Sequence, residues 1–165
     1  MNQPPPTGGP PSPRSKTEIL DAPLHTFGFE LDELSPHKVS GHLLITPKCC
    51  QPFDVLHRGV SAVIAEALGS IGSHIASGFR RVAGIHLSIS HLDSARVGDF
   101  IIAEATPVNV AKSIQVWEVN ISKCDPSNSE IKTLISSSRV TCFCNLPVPE
   151  NAKDAGQNLK KFSKL

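Results

Sequence analysis

Apolar and polar positions alternate along residues 24–34, where Phe27, Phe29 and Leu31 are separated by small or polar side chains. This period of two predicts a half-buried strand. KVSGHLLIT, residues 38–46, predicts a second. Residues 47–57, PKCCQPFDVLH, are punctuated by Pro47 and Pro52 and read as an irregular loop. The period then changes. HRGVSAVIAEALGSIGSH carries apolar residues around most of a helical wheel and predicts a helix over about residues 58–77, stopped by Gly78. In VAGIHLSISHL, Ile85, Leu87 and Ile89 share one face of a strand. GDFIIAEATPVNV and KSIQVWEVNIS read as a hairpin pair, DPSN as a turn by its chemistry, and IKTLISSSRVTCFCNL as the last strand.

Two strands, one long helix and three or four further strands follow one another. Short links between consecutive strands predict antiparallel pairing, because parallel pairing needs long crossovers. A helix this apolar has to be covered on most sides. The economical arrangement is a curved antiparallel sheet wrapped around the helix, in the α+β class. No internal repeat is visible.

Composition narrows the picture. With 165 residues the chain has room for one domain with a sizeable core. A net charge of +1 offers no broad positive field for a nucleic acid. No apolar run reads as long enough to span a bilayer, and no signal-peptide pattern opens the chain. The five cysteines include no C-x-x-C pair, which argues against a disulfide framework or a metal site and for free thiols. Proline and glycine dominate the start, so residues 1–18 read as a disordered leader. Residues 149–165 lack periodicity and read as a polar tail, which leaves a folded domain over 19–148.

Candidate chemistry centres on Glu66, the only formally charged residue between Arg58 and Arg80. Its helical neighbours are Gly59, Ala62, Val63, Gly69, Ser70 and Ser73, mostly small, as if another backbone or a ligand approached closely. A carboxylate held in such a mostly apolar cleft is suited to general-base or nucleophilic work. Two blander readings stand beside this one: a solvated surface acid, and a buried ion pair with an arginine. The segment before the helix adds donors. The first amides of a helix lack intrahelical acceptors and carry partial positive charge, and here they belong to Arg58 and Gly59. They are suited to an oxyanion, with Gly59 leaving room for a substrate. Gln51 offers an amide donor and His57 an imidazole, although a histidine at a helix start also serves as a plain cap. The set fits acyl transfer at a carbonyl.

QPFDVLHRGVSAVIAEALGSIGS, followed by GIHLSISHLDSARVGD and QVWEVNI, resembles the signature of hot-dog-fold acyl-CoA thioesterases. The branch is the one acting on aromatic esters such as 4-hydroxybenzoyl-CoA and 1,4-dihydroxy-2-naphthoyl-CoA. The likeness covers residues 24–146. It implies the hot-dog fold, a five- to six-stranded antiparallel sheet around one central helix, and a homodimer or homotetramer with active sites between subunits. Glu66 falls on the family's catalytic carboxylate, which attacks the thioester or activates a water. Gln51 and His57 fall on residues that orient and polarise the thioester, Ser70 on a polar position that helps place water, and His91 on a histidine near the acyl pocket. Where the family commonly has His-Gly-Gly, this chain has His57-Arg58-Gly59, so the oxyanion donor is the backbone N–H of Arg58. Arg96 and Lys112 are the candidates for the phosphates of coenzyme A, which is part of the substrate. The resemblance calls for no metal or redox cofactor, nucleic acid or membrane.

The chain ends in Ser163-Lys164-Leu165, the form of a peroxisomal address read by an import receptor. Together with the signature it resembles the plant peroxisomal thioesterases of phylloquinone biosynthesis, which act on 1,4-dihydroxy-2-naphthoyl-CoA. The proline-rich leader has no counterpart in that resemblance. The rival expectations are the same hydrolysis of a fatty or phenylacetyl ester, and a non-catalytic hot-dog module that binds acyl-CoA.

Overall fold

The computed structural model describes residues 13–125 and 127–165. Most of the proposed disordered leader lies outside the described residues, but its end does not. Ser15 accepts a hydrogen bond from the Glu18 N–H and caps α1, Lys16–Leu20, so the fold begins inside the segment assigned to the leader. α2 spans Ala22–Phe27, where a strand was expected. The reason is local. Asp21 caps the Leu24 N–H, Pro23 sits in the first turn, and Gly28 ends the helix at φ 86°, a left-handed conformation suited to glycine. Only the second half of the alternating stretch is extended, as β1, Glu30–Leu34.

The remaining elements follow the expected order. β2 is Val39–Leu44, α3 is Arg58–Ala76, and then come β3 (Arg81–His91), β4 (Phe100–Val110), β5 (Ile114–Asp125) and β6 (Asn128–Leu146). They form one six-stranded sheet in the order β1-β2-β4-β5-β6-β3, every neighbouring pair antiparallel. Alternation decides which side chains face α3. Ile101, Ala103 and Ala105 of β4, Trp117, Val119 and Ile121 of β5, and Val140 and Cys142 of β6 are buried with Ile64, Ala65, Leu68 and Ile75 of the helix. The helix lies close to the sheet because it lacks side chains where the two meet. A Cβ on Gly72 would stand 2.6 Å from the Trp117 ring, and one on Gly69 2.8 Å from Val140.

Two further expectations are corrected. α3 has 19 residues, and its most apolar 18-residue window has a mean hydropathy of 1.3, so by length and composition it passes as a membrane span, contrary to the reading that no run is long enough. It is the core helix of the sheet, 56% buried over its most apolar window. The C-terminal stretch is not a loose polar tail either. After a 3-10 turn at Glu150–Ala152 it forms α4, Gln157–Phe162, with Leu159 buried and Phe162 packed on the core. The Lys164 N–H donates to the Leu34 carbonyl at 2.8 Å. All five cysteines are free.

Candidate active site

The loop before α3 is short and tightly tied. The Gln51 N–H donates to the Val55 carbonyl at 2.9 Å and the Asp54 N–H to the Gln51 carbonyl at 3.0 Å. Asp54 takes up the reversal at φ 58°, a conformation aspartate tolerates better than most residues. The loop's returning arm is clipped to residues 95–97, with the Leu56 N–H donating to the Ala95 carbonyl and the Val97 N–H to the Asp54 carbonyl. Within it the Gln51 Oε1 accepts from the Phe53 N–H at 3.2 Å, which leaves the side-chain NH2 as an outward donor.

His57 closes the helix. Its Nδ1 accepts from the Gly59 N–H at 2.9 Å, so in this arrangement the ring proton sits on Nε2. The expectation that both opening amides serve an oxyanion is therefore corrected, because the Gly59 N–H is engaged by the cap. The Arg58 N–H has no acceptor among the described residues. The missing side chain of Gly59 has a local use: a Cβ there would lie 2.9 Å from the His57 Nδ1.

Gln51, His57, Arg58 and His91 line one cleft of about 530 Å³, together with Ser61 and Asp93. The His91 Nε2 is buried without a hydrogen-bond partner. Burial, and then the positive charge of Arg58, hold the His91 pKa below its ordinary value, so the ring is neutral at neutral pH.

Glu66 does not line this cleft. It is eight residues, about 12 Å, further along α3 from Arg58. Its side chain is exposed in the single chain rather than sheltered. The surface-acid reading of the pattern is thus nearer to the observed burial, but the carboxylate is not unconstrained. Oε1 accepts from the Ser70 hydroxyl at 2.6 Å and lies over Gly84 of β3, while the Ser70 Oγ is 3.9 Å from the Cys142 thiol. The anticipated slot exists over only part of the small-residue stripe: Gly69 and Ser73 are buried, Ala62, Val63 and Ser70 half-buried.

Arg96 and Lys112 are not brought together. Arg96 is exposed on the segment that clips the loop, its N–H donating to the Asp99 carboxylate, and it does not line the cleft. Lys112 lies in a separate depression near the other end of α3, with Arg80 and Asn145. Arg58 is the cation lining the cleft. Ser61, Asp93 and Gly84 were missed in the sequence reading. A lone glycine within a strand pattern signals a bulge or a close backbone approach, and that signal was available for Gly84.

A family pattern described as the thioesterase superfamily matches residues 53–128. Over 155 residues the chain is 57% identical to 1,4-dihydroxy-2-naphthoyl-CoA thioesterase 2 of Arabidopsis thaliana, covering 93% of this chain and 99% of the relative. It is 35% identical over 117 residues to 1,4-dihydroxy-2-naphthoyl-CoA hydrolase of Listeria monocytogenes, covering 70% and 89%. A solved thioesterase of Haemophilus influenzae superposes with a TM-score of 0.62 at 30% identity, over 73% of this chain and 80% of that one.

Proposed function

Because the chain belongs to the thioesterase superfamily, which has the hot-dog fold, we propose that it hydrolyses an aromatic acyl-CoA thioester, with 1,4-dihydroxy-2-naphthoyl-CoA as the preferred substrate. The names of the Arabidopsis and Listeria relatives support the substrate. The observation that carries the chemistry is the opening of α3, where the Arg58 N–H lacks an acceptor among the described residues beside the Gln51 amide and the His57 imidazole, all on one cleft. A thioester oxygen seated there meets donors that are already fixed in place, and they stabilise the negative charge that develops as the carbonyl carbon becomes tetrahedral. Glu66 adds to that carbon directly or removes a proton from the water that does. The C–S bond breaks and the thiolate of coenzyme A takes up a proton. Where water has added, the free acid is formed at once. Where Glu66 has added, water then hydrolyses the anhydride between Glu66 and the acyl group to give the free acid and restore the carboxylate.

Glu66 lies outside the cleft of its own chain, so the reading includes a second copy that completes the site. What supports this is the position of β3 at the edge of the sheet, with Ile85 57% exposed. The reading also includes a peroxisomal location through Ser163, Lys164 and Leu165, of which Leu165 is 90% exposed.

The test is release of coenzyme A from a panel of acyl-CoA esters, followed with a thiol-reactive dye and ranked by kcat/KM. Hydroxyaryl esters are expected to lead the ranking, and Glu66→Gln is expected to lower kcat by orders of magnitude while the fold is retained. Release fastest from fatty acyl esters would reassign the acyl group. No release from any ester would leave an acyl-CoA-binding module.

A further inference from the structure

We propose that Gly84 is a positioning residue for the Glu66 carboxylate. The inference rests on the reading of Glu66 as the reacting acid and adds how β3 holds it. Gly84 faces α3 from the edge strand, paired across to Cys142 of β6, and the register of β3 slips between Gly84 and His86. A Cβ built at Gly84 meets the Glu66 Oε1 at 2.7 Å, its Cδ at 3.6 Å and the Ser70 Oγ at 3.7 Å. Oε1 is the oxygen that Ser70 holds at 2.6 Å. One carboxylate oxygen is thus fixed between a hydroxyl and a backbone that has no side chain, and Oε2 has no partner among the described residues. The two oxygens divide the work: Oε1 anchors the group, and Oε2 faces the thioester or its water.

The φ angle at position 84 does not demand glycine. It is not positive, and the three atoms nearest the built Cβ belong to Glu66 and Ser70. Alanine there suits strand backbone better than glycine does, because glycine weakens strand interiors. The cost of a methyl group falls on the carboxylate, which has to leave the Ser70 hydroxyl or tilt away from the strand. A displacement of this size in a reacting group lowers turnover without altering the surface that holds the rest of the substrate.

The test is a set of variants of the full chain assayed on a hydroxyaryl-CoA ester, with thermal unfolding measured alongside. Gly84→Ala is expected to keep the wild-type unfolding midpoint or exceed it, to keep KM within about twofold, and to lower kcat by about tenfold or more. Ser70→Ala and Gly84→Ala disturb the same oxygen, so the double variant is expected to lose no more than the worse single variant, where independent effects would multiply. In a Glu66→Asp background the carboxylate is withdrawn by one methylene from the position 84 methyl, and adding Gly84→Ala is expected to cost less than about twofold. Wild-type activity lost in Glu66→Gln but kept in Gly84→Ala overturns this inference and leaves the proposed function standing. Multiplicative losses in the Ser70 pair likewise overturn it. A wild-type chain that hydrolyses no ester overturns the proposed function instead.

Discussion

His57 does two things with one ring. Nδ1 closes the first turn of α3 through the Gly59 N–H, and that bond leaves the proton on Nε2 of a ring that lines the cleft. The two uses are separable by mutation. Asparagine is among the best helix caps but is too short to carry a donor to the position of Nε2. His57→Asn is expected to unfold within about 0.5 kcal/mol of wild type, whereas His57→Ala is expected to lose about 1 kcal/mol as the cap goes. Both are expected to lower kcat by at least about tenfold. Chemical denaturation with parallel turnover measurements checks this; a His57→Asn variant as active as wild type would confine the ring to capping. At this scale the sequence was informative about identity and less so about surroundings. The isolation of Glu66 among small residues is real, and Ser70 and Gly84 stand against it. Its exposure was not legible, because a one-dimensional pattern shows which side chains share a helix face but not which strand ends where along it. That Arg96 and Lys112 lie apart from the cleft of their own chain was not legible for a related reason: a surface cation carries no mark of which depression it borders.

At the scale of elements, Gly72 shows how packing overrides propensity. An interior helical glycine changed to alanine ordinarily gains up to about 1 kcal/mol. Here the added methyl would stand 2.6 Å from the fully buried Trp117 ring, in the middle of the sheet. Overpacking of this kind costs about 1–3 kcal/mol and exceeds the gain, so Gly72→Ala is expected to be destabilised overall. A lower urea midpoint at unchanged slope is the expected readout; a raised midpoint would mean that α3 shifts away from β5 at little cost. The long elements were legible because their periods are strong. The α3 signal runs over five turns, and β4, β5 and β6 are each eleven residues or longer, with β5 alternating along most of its length. α2 was misread because its six residues are too few to display a helical period, and Phe27, Phe29 and Leu31 happen to alternate. The punctuation was present: Asp21, Pro23 and Gly28 are a cap, a first-turn proline and a stop within eight positions, and they outweigh a three-residue alternation.

At the scale of the whole molecule, both ends of the described chain close over the outer side of the core helix. Ile19 and Leu20 of α1, Ile71 and His74 of α3, and Leu159 of α4 border one small depression, and Gly156 approaches His74 so closely that a Cβ would lie 3.3 Å from its Nε2. The polar composition of the last 17 residues hid this, since Leu159 and Phe162 stand among lysines and amides with no helical repeat of apolar positions. Closure of this kind is sensitive to pH through His74. Burial, opposed by a hydrogen bond at Phe79 and joined by the charge of Lys160, holds its pKa below the usual 6.5. The folded chain therefore binds fewer protons than the unfolded chain between that lowered value and 6.5, and stability rises with pH across the window. The contribution is complete above the unfolded value and is lost as pH falls through the folded one. His91 acts with the same sign from the cleft side, so the wild-type melting temperature is expected to fall between pH of about 7.5 and about 5.5. His74→Gln removes one of the two groups and retains a polar side chain of similar reach, so its melting temperature is expected to fall less over the same interval. Parallel curves for the two proteins would mean that protonating His74 does not loosen the contact between α3 and the C-terminal segment, and that the acid sensitivity belongs to His91 or to the carboxylates.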